Sequence, residues 1–340
     1  MKQNILIVTD HVTHSASNSL YELALAINND LRSGKVWVCS RGHVENEAFF
    51  KGGYVENVFA NEVADGFAFN AESSALRETS FPLSLSEIDA ILIRMPQPLD
   101  KNFLLSLDEI ASGKKIINNV YGTIETSSKE FLTTIAHLCP SPTMCYSAAE
   151  AVALSYTHEI VLKPMYSYGG KGIVRLSTDF FWIEDTRYNA SEIFSHLTDE
   201  YFPMLAMRYL KNVDMGDKRT IVVNRQILGS ALRMPPPNSW ICNVANGGYA
   251  ILSEADEEEL KMERELTPLL FEKGVVMYGF DTLVDDNGIR VLSEINTLSI
   301  GGLGPIEEMS GKPVLKKTAK LLWDYLEEAD GISSTSSLDS

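Results

Sequence analysis

Cysteine is scarce in this chain: Cys39, Cys139, Cys145 and Cys242 are spread over 340 residues. None is in CxxC spacing and the chain is far longer than disulfide scaffolds, so structural thiols in a reducing cytosol are expected. No apolar run approaches the ~18 residues of a membrane span, and the run over 5–8 is too short for a signal sequence. Positive charge is in deficit, with 29 Lys and Arg against 46 Asp and Glu for a formal net charge of −17. That balance argues against a broad nucleic-acid footprint, which needs a basic face. These absences predict a cytoplasmic protein with neither a nucleic-acid nor a membrane partner. No internal repeat is present.

A hydrophobic content of 45 % with 22 % charged residues is enough for a substantial core and two or three domains. Residues 4–9 read as a buried strand and 17–28 carry helical spacing. Further strands are expected at 36–39, 90–94 and 115–118, so residues 1–120 look like an open α/β domain. Ser128 and its neighbours can cap a helix over 129–138, which Pro140 and Pro142 end. A second unit over 121–200 contains a glycine-rich loop, and a third over 201–330 is mixed and ends in a helix over 315–328. The Ser-rich stretch 331–340 reads as a flexible tail. The expected class is α/β (α+β).

From Ile160 an apolar strand carrying Lys163 runs into Gly169-Gly170-Lys171-Gly172 and out again as a strand. Three glycines in four residues let backbone N–H groups approach an anion, so a phosphate cradle is one reading and a plain glycine-rich hairpin is the other. A Walker A loop needs Ser or Thr after its lysine and then a helix, and a dinucleotide fingerprint also needs the helix. What remains is a flap between two antiparallel strands.

A second signal is a pair of apolar runs, 278–284 and 289–296, separated by Asp285-Asp286-Asn287-Gly288. With Asn287-Gly288 as a two-residue hairpin turn, Asp286 faces Ile289 and Asp281 falls opposite Glu294. Asn296 then shares a face with Glu294. Facing like charges among apolar neighbours call for something positive between them. Two carboxylates and an amide oxygen form a hard-oxygen set suited to Mg²⁺ on nucleotide phosphates; two wet edge carboxylates are the plainer alternative.

Arg219 could contact a phosphate or a carboxylate through its planar fork, and Arg233, inside an apolar run, is better placed facing a ligand cavity than a packed core. Residues 235–248 read as a loop that could cover a site. The acidic run 256–259 opens a helix through Phe271, where anions complement the helix dipole, and is read as structural. His11 and His14 read as exposed loop residues.

In order, Ile91-Leu92-Ile93-Arg94, Lys129, Val161-Leu162-Lys163-Pro164 with Gly169-Gly170-Lys171-Gly172, Gly216-Asp217-Lys218-Arg219, Arg233 with Asn243 and Gly247-Gly248, and Asp281 with Glu294-Ile295-Asn296 resemble the ATP-grasp superfamily, specifically bacterial glutathione synthetase. The resemblance implies an ATP-grasp fold behind a Rossmann-like N-terminal domain. It implies Lys129 and Lys163 on the nucleotide, with Gly169, Gly170, Lys171 and Gly172 closing over it. Met207, Tyr209 and Leu210 would form the adenine hinge, Asp217 the ribose ligand, and Asn243 part of the cover. Asp281, Glu294 and Asn296 would hold Mg²⁺ (or Mn²⁺), while Arg219 and Arg233 would stabilise the transferred phosphoryl and acyl phosphate.

The function implied is ATP-dependent ligation of a small-molecule carboxylate to an amine through an acyl phosphate, in a homo-oligomer (dimer or tetramer). Two positions depart from the family, which typically has arginine where this chain has Ile241 and Gly304. A glutathione-synthetase-like ligase therefore ranks ahead of glutathione synthetase proper. Glu294-Ile295-Asn296-Thr297-Leu298 also echoes D-alanine-D-alanine ligases. A nucleotide-binding regulatory protein without turnover is the reading from another class.

Overall fold

The structure, a computed structural model, describes residues 2–70, 76, 78–237, 239–242 and 247–335. The apolar run at the amino end forms β1 (Gln3–Thr9), which pairs in parallel on both sides and buries Ile5, Leu6, Ile7 and Val8. It lies inside a first sheet with β2 (Ser33–Ser40), β3 (Asn57–Glu62), β4 (Phe81–Ser84), β5 (Ala90–Arg94) and β6 (Lys115–Ile117). The order is β4-β3-β2-β1-β5-β6. The direction of winding reverses between β1 and β5, so their carboxyl ends, Thr9 and Arg94, face a crevice of the kind where open sheets bind ligands.

The second sheet takes β7 (Thr143–Cys145), β8 (Ile160–Pro164), β9 (Val174–Leu176), β10 (Phe180–Ile183), β11 (Thr186–Asn189) and β12 (Met204–Arg208) in the order β11-β10-β9-β8-β12-β7. β8 and β9 pair antiparallel, with Leu162 opposite Val174, so the glycine-rich segment does connect two strands as a flap. The third sheet, β15-β14-β13-β16-β17, is antiparallel throughout. It comprises β13 (Asp217–Val223), β14 (Gln226–Met234), β15 (Tyr249–Ser253), β16 (Met277–Val284) and β17 (Arg290–Asn296).

The β16–β17 hairpin reaches the expected pairing by a different path. The Asp285 carboxylate accepts from the N–H groups of Asn287 and Ile289, and the N–H of Asp285 donates to Ile289 O at 2.7 Å. The loop is therefore three residues, with Gly288 at φ +86, and Val284 faces Arg290. Asp286 does not face Ile289; it turns outward to Arg208 and the Lys211 N–H. This register would put Asp281 out of step with Glu294. A bulge restores it, because Thr282 faces Leu292 while Asp281 faces Glu294, leaving Ser293 as the extra residue.

The first and third sheets share one apolar core with the C-terminal helix Val314–Thr335, built from Ile7, Ile27, Leu92, Ile221, Met277 and Trp323 among others. Trp323 Nε1 donates to Ile27 O at 3.2 Å across that core. The helix covers residues 331–335 of the stretch expected as a tail, and 336–340 lie outside the described residues. The second sheet has a core of its own around Leu162, Phe181 and Ala206.

Candidate active site

Three strands of the third sheet bring the site's charges together. Arg219 on β13 faces Asp281 on β16 in register, and Asp217 faces Arg233 on β14. Since side chains alternate along a strand, Asp217 and Arg219 share a face. Arg219 grips Asp281 with a two-pronged fork, Nε to Oδ1 at 2.7 Å and Nη2 to Oδ2 at 2.6 Å. Arg233 Nη2 spans Asp217 Oδ1 at 2.8 Å and Asp281 Oδ2 at 2.9 Å. Asn296 Nδ2 donates to the same Oδ2 at 3.3 Å.

Asp281 is 1 % exposed. Burial alone would raise its carboxyl, but Arg219 and Arg233 overcome that and hold it well below the usual carboxylate range. Asp217 goes the other way: burial pushes it up against the pull of Arg233.

A second group of cations meets Glu294. Lys129, buried at the start of the 3₁₀ segment Lys129–Leu138, places Nζ 3.2 Å from Glu294 Oε1 and 2.6 Å from the Ser167 carbonyl of the flap. Ser128 Oγ caps this segment on the Glu130 N–H. Lys163 reaches from β8 to the bulge residue, donating to Ser293 O at 2.9 Å and Oγ at 3.1 Å. Burial lowers the Lys163 ammonium pKa, and neighbouring Lys129 adds to the effect, opposed by Glu294 and Asp217. Ser293 went unremarked in the sequence, because a bulge leaves no compositional mark.

In the flap, Gly169, Gly170 and Gly172 have φ of +66, +74 and +71, a region side chains rarely enter. Lys171 is exposed, its ammonium 5.3 Å from the Tyr168 ring centroid. A Cβ on Gly170 would lie 2.8 Å from Ile241 Cγ2, so the flap and the covering loop pack together. Trp240 Nε1 ties the same loop to Glu184 O at 2.8 Å. Asn243 lies outside the described residues. In the segment expected as the adenine hinge, Met207 and Leu210 are buried, while the Tyr209 ring is covered by the Arg175 guanidinium at 3.8 Å.

His11 and His14 are not exposed. Nδ1 of His11 lies 2.5 Å from Ser40 Oγ, and His14 bridges Thr9 Oγ1 at 3.1 Å and Tyr21 Oη at 3.0 Å. Hydroxyls thus meet both ring nitrogens of His14 and Nδ1 of His11 beside the carboxyl end of β1. Gly304 sits where a Cβ would meet Ser19 Cβ at 3.4 Å, so helix Leu303–Ser310 lies close to the amino-terminal segment.

A family model described as "Prokaryotic glutathione synthetase, ATP-grasp domain" matches residues 128–311. Glutathione synthetase of Mesorhizobium japonicum is 30 % identical over 249 residues, covering 72 % of this chain and 74 % of that protein. Glutathione synthetase of Prochlorococcus marinus strain MIT 9313 is 27 % identical over 295 residues, covering 85 % and 88 %. Among solved structures, D-alanine-D-alanine ligase from Coxiella burnetii superposes with a TM-score of 0.63 at 12 % identity over 99 % of this chain and 100 % of that one. D-cycloserine synthetase superposes with a TM-score of 0.63 at 14 % identity over 95 % and 99 %.

Proposed function

The chain belongs to the prokaryotic glutathione synthetase ATP-grasp family and is a carbon–nitrogen ligase of ATP-grasp fold, and from that premise we propose that it activates a carboxylate as an acyl phosphate and joins it to an amine. ATP and a divalent metal are the family's reagents, and Mg²⁺ is the ion proposed here. The observation that carries the reading is the facing of Asp281 and Glu294 across β16 and β17, ringed by Arg219, Arg233 and Lys129.

The donor set suits the ion. Asp281 Oδ2 receives Arg219, Arg233 and Asn296, whereas among the described residues Oδ1 receives only Arg219 Nε and keeps a lone pair for a cation. Because Asn296 turns its Nδ2 to Asp281, its amide oxygen is left for a cation. Asp281, Glu294 and Asn296 would hold Mg²⁺, which when bound neutralises phosphate charge.

Arg219 and Arg233 are then the fixed cations for the transferred phosphoryl and for the oxyanion that forms when the amine attacks. Lys129 and Lys163 orient the phosphates, the segment Met207, Tyr209 and Leu210 takes the adenine, Asp217 the ribose, and Asn243 belongs to the cover. The flap of Gly169, Gly170, Lys171 and Gly172 keeps water from the acyl phosphate.

The acceptor reading favours an amine other than glycine. At position 241 an isoleucine packs on the flap, and at 304 a glycine faces Ser19, so neither place offers a cation for a small acceptor's carboxylate. Glutathione synthesis proper is the second reading. A cytoplasmic homo-oligomer acting on small molecules accompanies both readings.

The test is ATP-dependent product formation, read by mass spectrometry, with γ-glutamylcysteine and other dipeptides against a panel of amino acids. Glu294→Ala is expected to abolish turnover while leaving the melting curve intact. Wild-type turnover in that variant refutes the metal assignment, and ATP binding without phosphate release for any substrate pair would favour a regulatory nucleotide-binding protein.

A further inference from the structure

Behind the Arg219–Asp281 pair, on the opposite face of the third sheet, lies a buried ionic cluster that the reaction above does not use. Lys218 stands between Asp217 and Arg219 in β13, and Thr282 follows Asp281 in β16; the two are register partners, just as Arg219 and Asp281 are. Alternation therefore points them away from the site. Glu259, in the first turn of helix Glu257–Glu272, meets them from below and is 0 % exposed.

Its carboxylate accepts from Lys218 Nζ at 2.6 Å, from Thr282 Oγ1 at 2.5 Å and from the Asp256 N–H at 3.0 Å. Lys218 spends its remaining donors on Glu254 O at 3.0 Å and Asp256 Oδ2 at 3.2 Å. Every member is satisfied. Thr282 is also the residue at which the β16–β17 register shifts, and its carbonyl is held by Arg290 Nη1 at 3.0 Å. The cluster thus grips the strand at the bulge that turns Asp281 toward Glu294.

A fully buried ion pair is a poor way to gain stability, since well-packed apolar residues of similar volume often serve as well or better. What such a pair does supply is one fixed geometry. We propose that Lys218 and Glu259 are positioning residues that hold β16, opposite the β17 bulge, in the register where Asp281 faces Glu294, and so set the protein's demand for divalent cation. The proposal rests on the ligase reading and its metal assignment, and it adds a role for Glu259 to a run that, as expected, caps and opens its helix.

The experiment measures binding of AMP-PNP by calorimetry in EDTA and across a magnesium titration, with melting temperatures alongside. It compares wild type, the apolar pair variant Lys218→Met/Glu259→Met, and Thr282→Val, which keeps the ion pair and the shape but removes the hydroxyl that bonds Glu259 and Arg290. The pair variant is expected to melt near wild type and to bind AMP-PNP in EDTA within about twofold. It should need about 10- to 100-fold more magnesium for half-maximal enhancement, the range found when outer-shell partners of metal ligands are removed. Thr282→Val should need severalfold more.

Wild-type magnesium demand in a folded pair variant overturns the proposal. If the pair variant does not fold, unchanged demand in Thr282→Val overturns it, and a raised demand supports it. Wild-type protein that binds AMP-PNP with no magnesium dependence would instead remove the metal assignment, and this proposal with it.

Discussion

His14 shows how one half-buried ring carries a pH dependence. Thr9 Oγ1 donates its proton to Arg94 O at 3.0 Å, so toward His14 it can only accept, which makes Nε2 the protonated nitrogen and leaves Nδ1 to accept from Tyr21. A second ring proton would face the tyrosine's own donor. Burial, then Arg94 and His11, pull the imidazole from 6.5 down to about 4 against the opposing charge of Asp10. Between those two values the unfolded chain binds a proton that the folded chain refuses, so this contribution is complete above pH 6.5 and is lost as pH falls toward 4. The ring is half-exposed, so the loss is discounted to about 1–2 kcal/mol. His14→Gln should therefore lose less melting temperature than wild type between pH 7 and pH 4.5, and parallel curves would show that the ring does not titrate this way.

At the scale of elements, strand and flap treat their lysines differently. Lys163 is fixed at both ends, by the β8 ladder and by Ser293, whereas Lys171 hangs in solvent over Tyr168. Lys163→Ala should reduce ATP turnover by about 100-fold, as misplacement of a positioned group does. Lys171→Ala should cost less than about tenfold, in keeping with one exposed cation–π contact. Steady-state kinetics on the two variants decide the matter, and comparable losses would mean that the flap lysine carries the phosphate.

The same contrast explains what was legible beforehand. Strands β1 and β5 announce themselves as apolar runs, and the flap as glycines between the strand carrying Lys163 and the next. The hairpin's acid pair was found with the wrong turn, because a side chain's hydrogen bonds, here those of Asp285, decide loop length, and the one-residue error was cancelled by a bulge at Ser293. Nothing local marks such a bulge. The covering of Tyr209 by Arg175 and the bonding of Glu259 to Lys218 were equally hidden, since each joins residues more than thirty positions apart.

Across the whole molecule, the first sheet is fastened to the third by buried polar side chains as well as by shared apolar core, among them Arg94 of β5, whose guanidinium reaches Met277 Sδ of β16 and donates to Ile300 O at 2.9 Å. Asn118, just after β6, accepts from the N–H groups of Val276 and Met277 at 2.8 and 2.9 Å, and donates to Met277 O and Thr297 O, both at 2.7 Å. It thereby holds the entry of β16 and the exit of β17, the two strands that carry Asp281 and Glu294. Close backbone approach reinforces the seam: a Cβ on Gly122 would fall 2.0 Å from Lys273 O. Asn118→Ala strands four buried backbone groups, at about 1–3 kcal/mol each where no water reaches them. Even partial relaxation leaves a few kcal/mol, a large part of the ~5–15 kcal/mol that holds a domain together. Because the C-terminal helix and both sheets share one core, the loss should lower a common cooperative transition by about 5–10 °C rather than release the first sheet alone. Calorimetry can tell these apart: a new low-temperature transition in the variant, with the main one unmoved, would show that the first sheet is an independent folding unit.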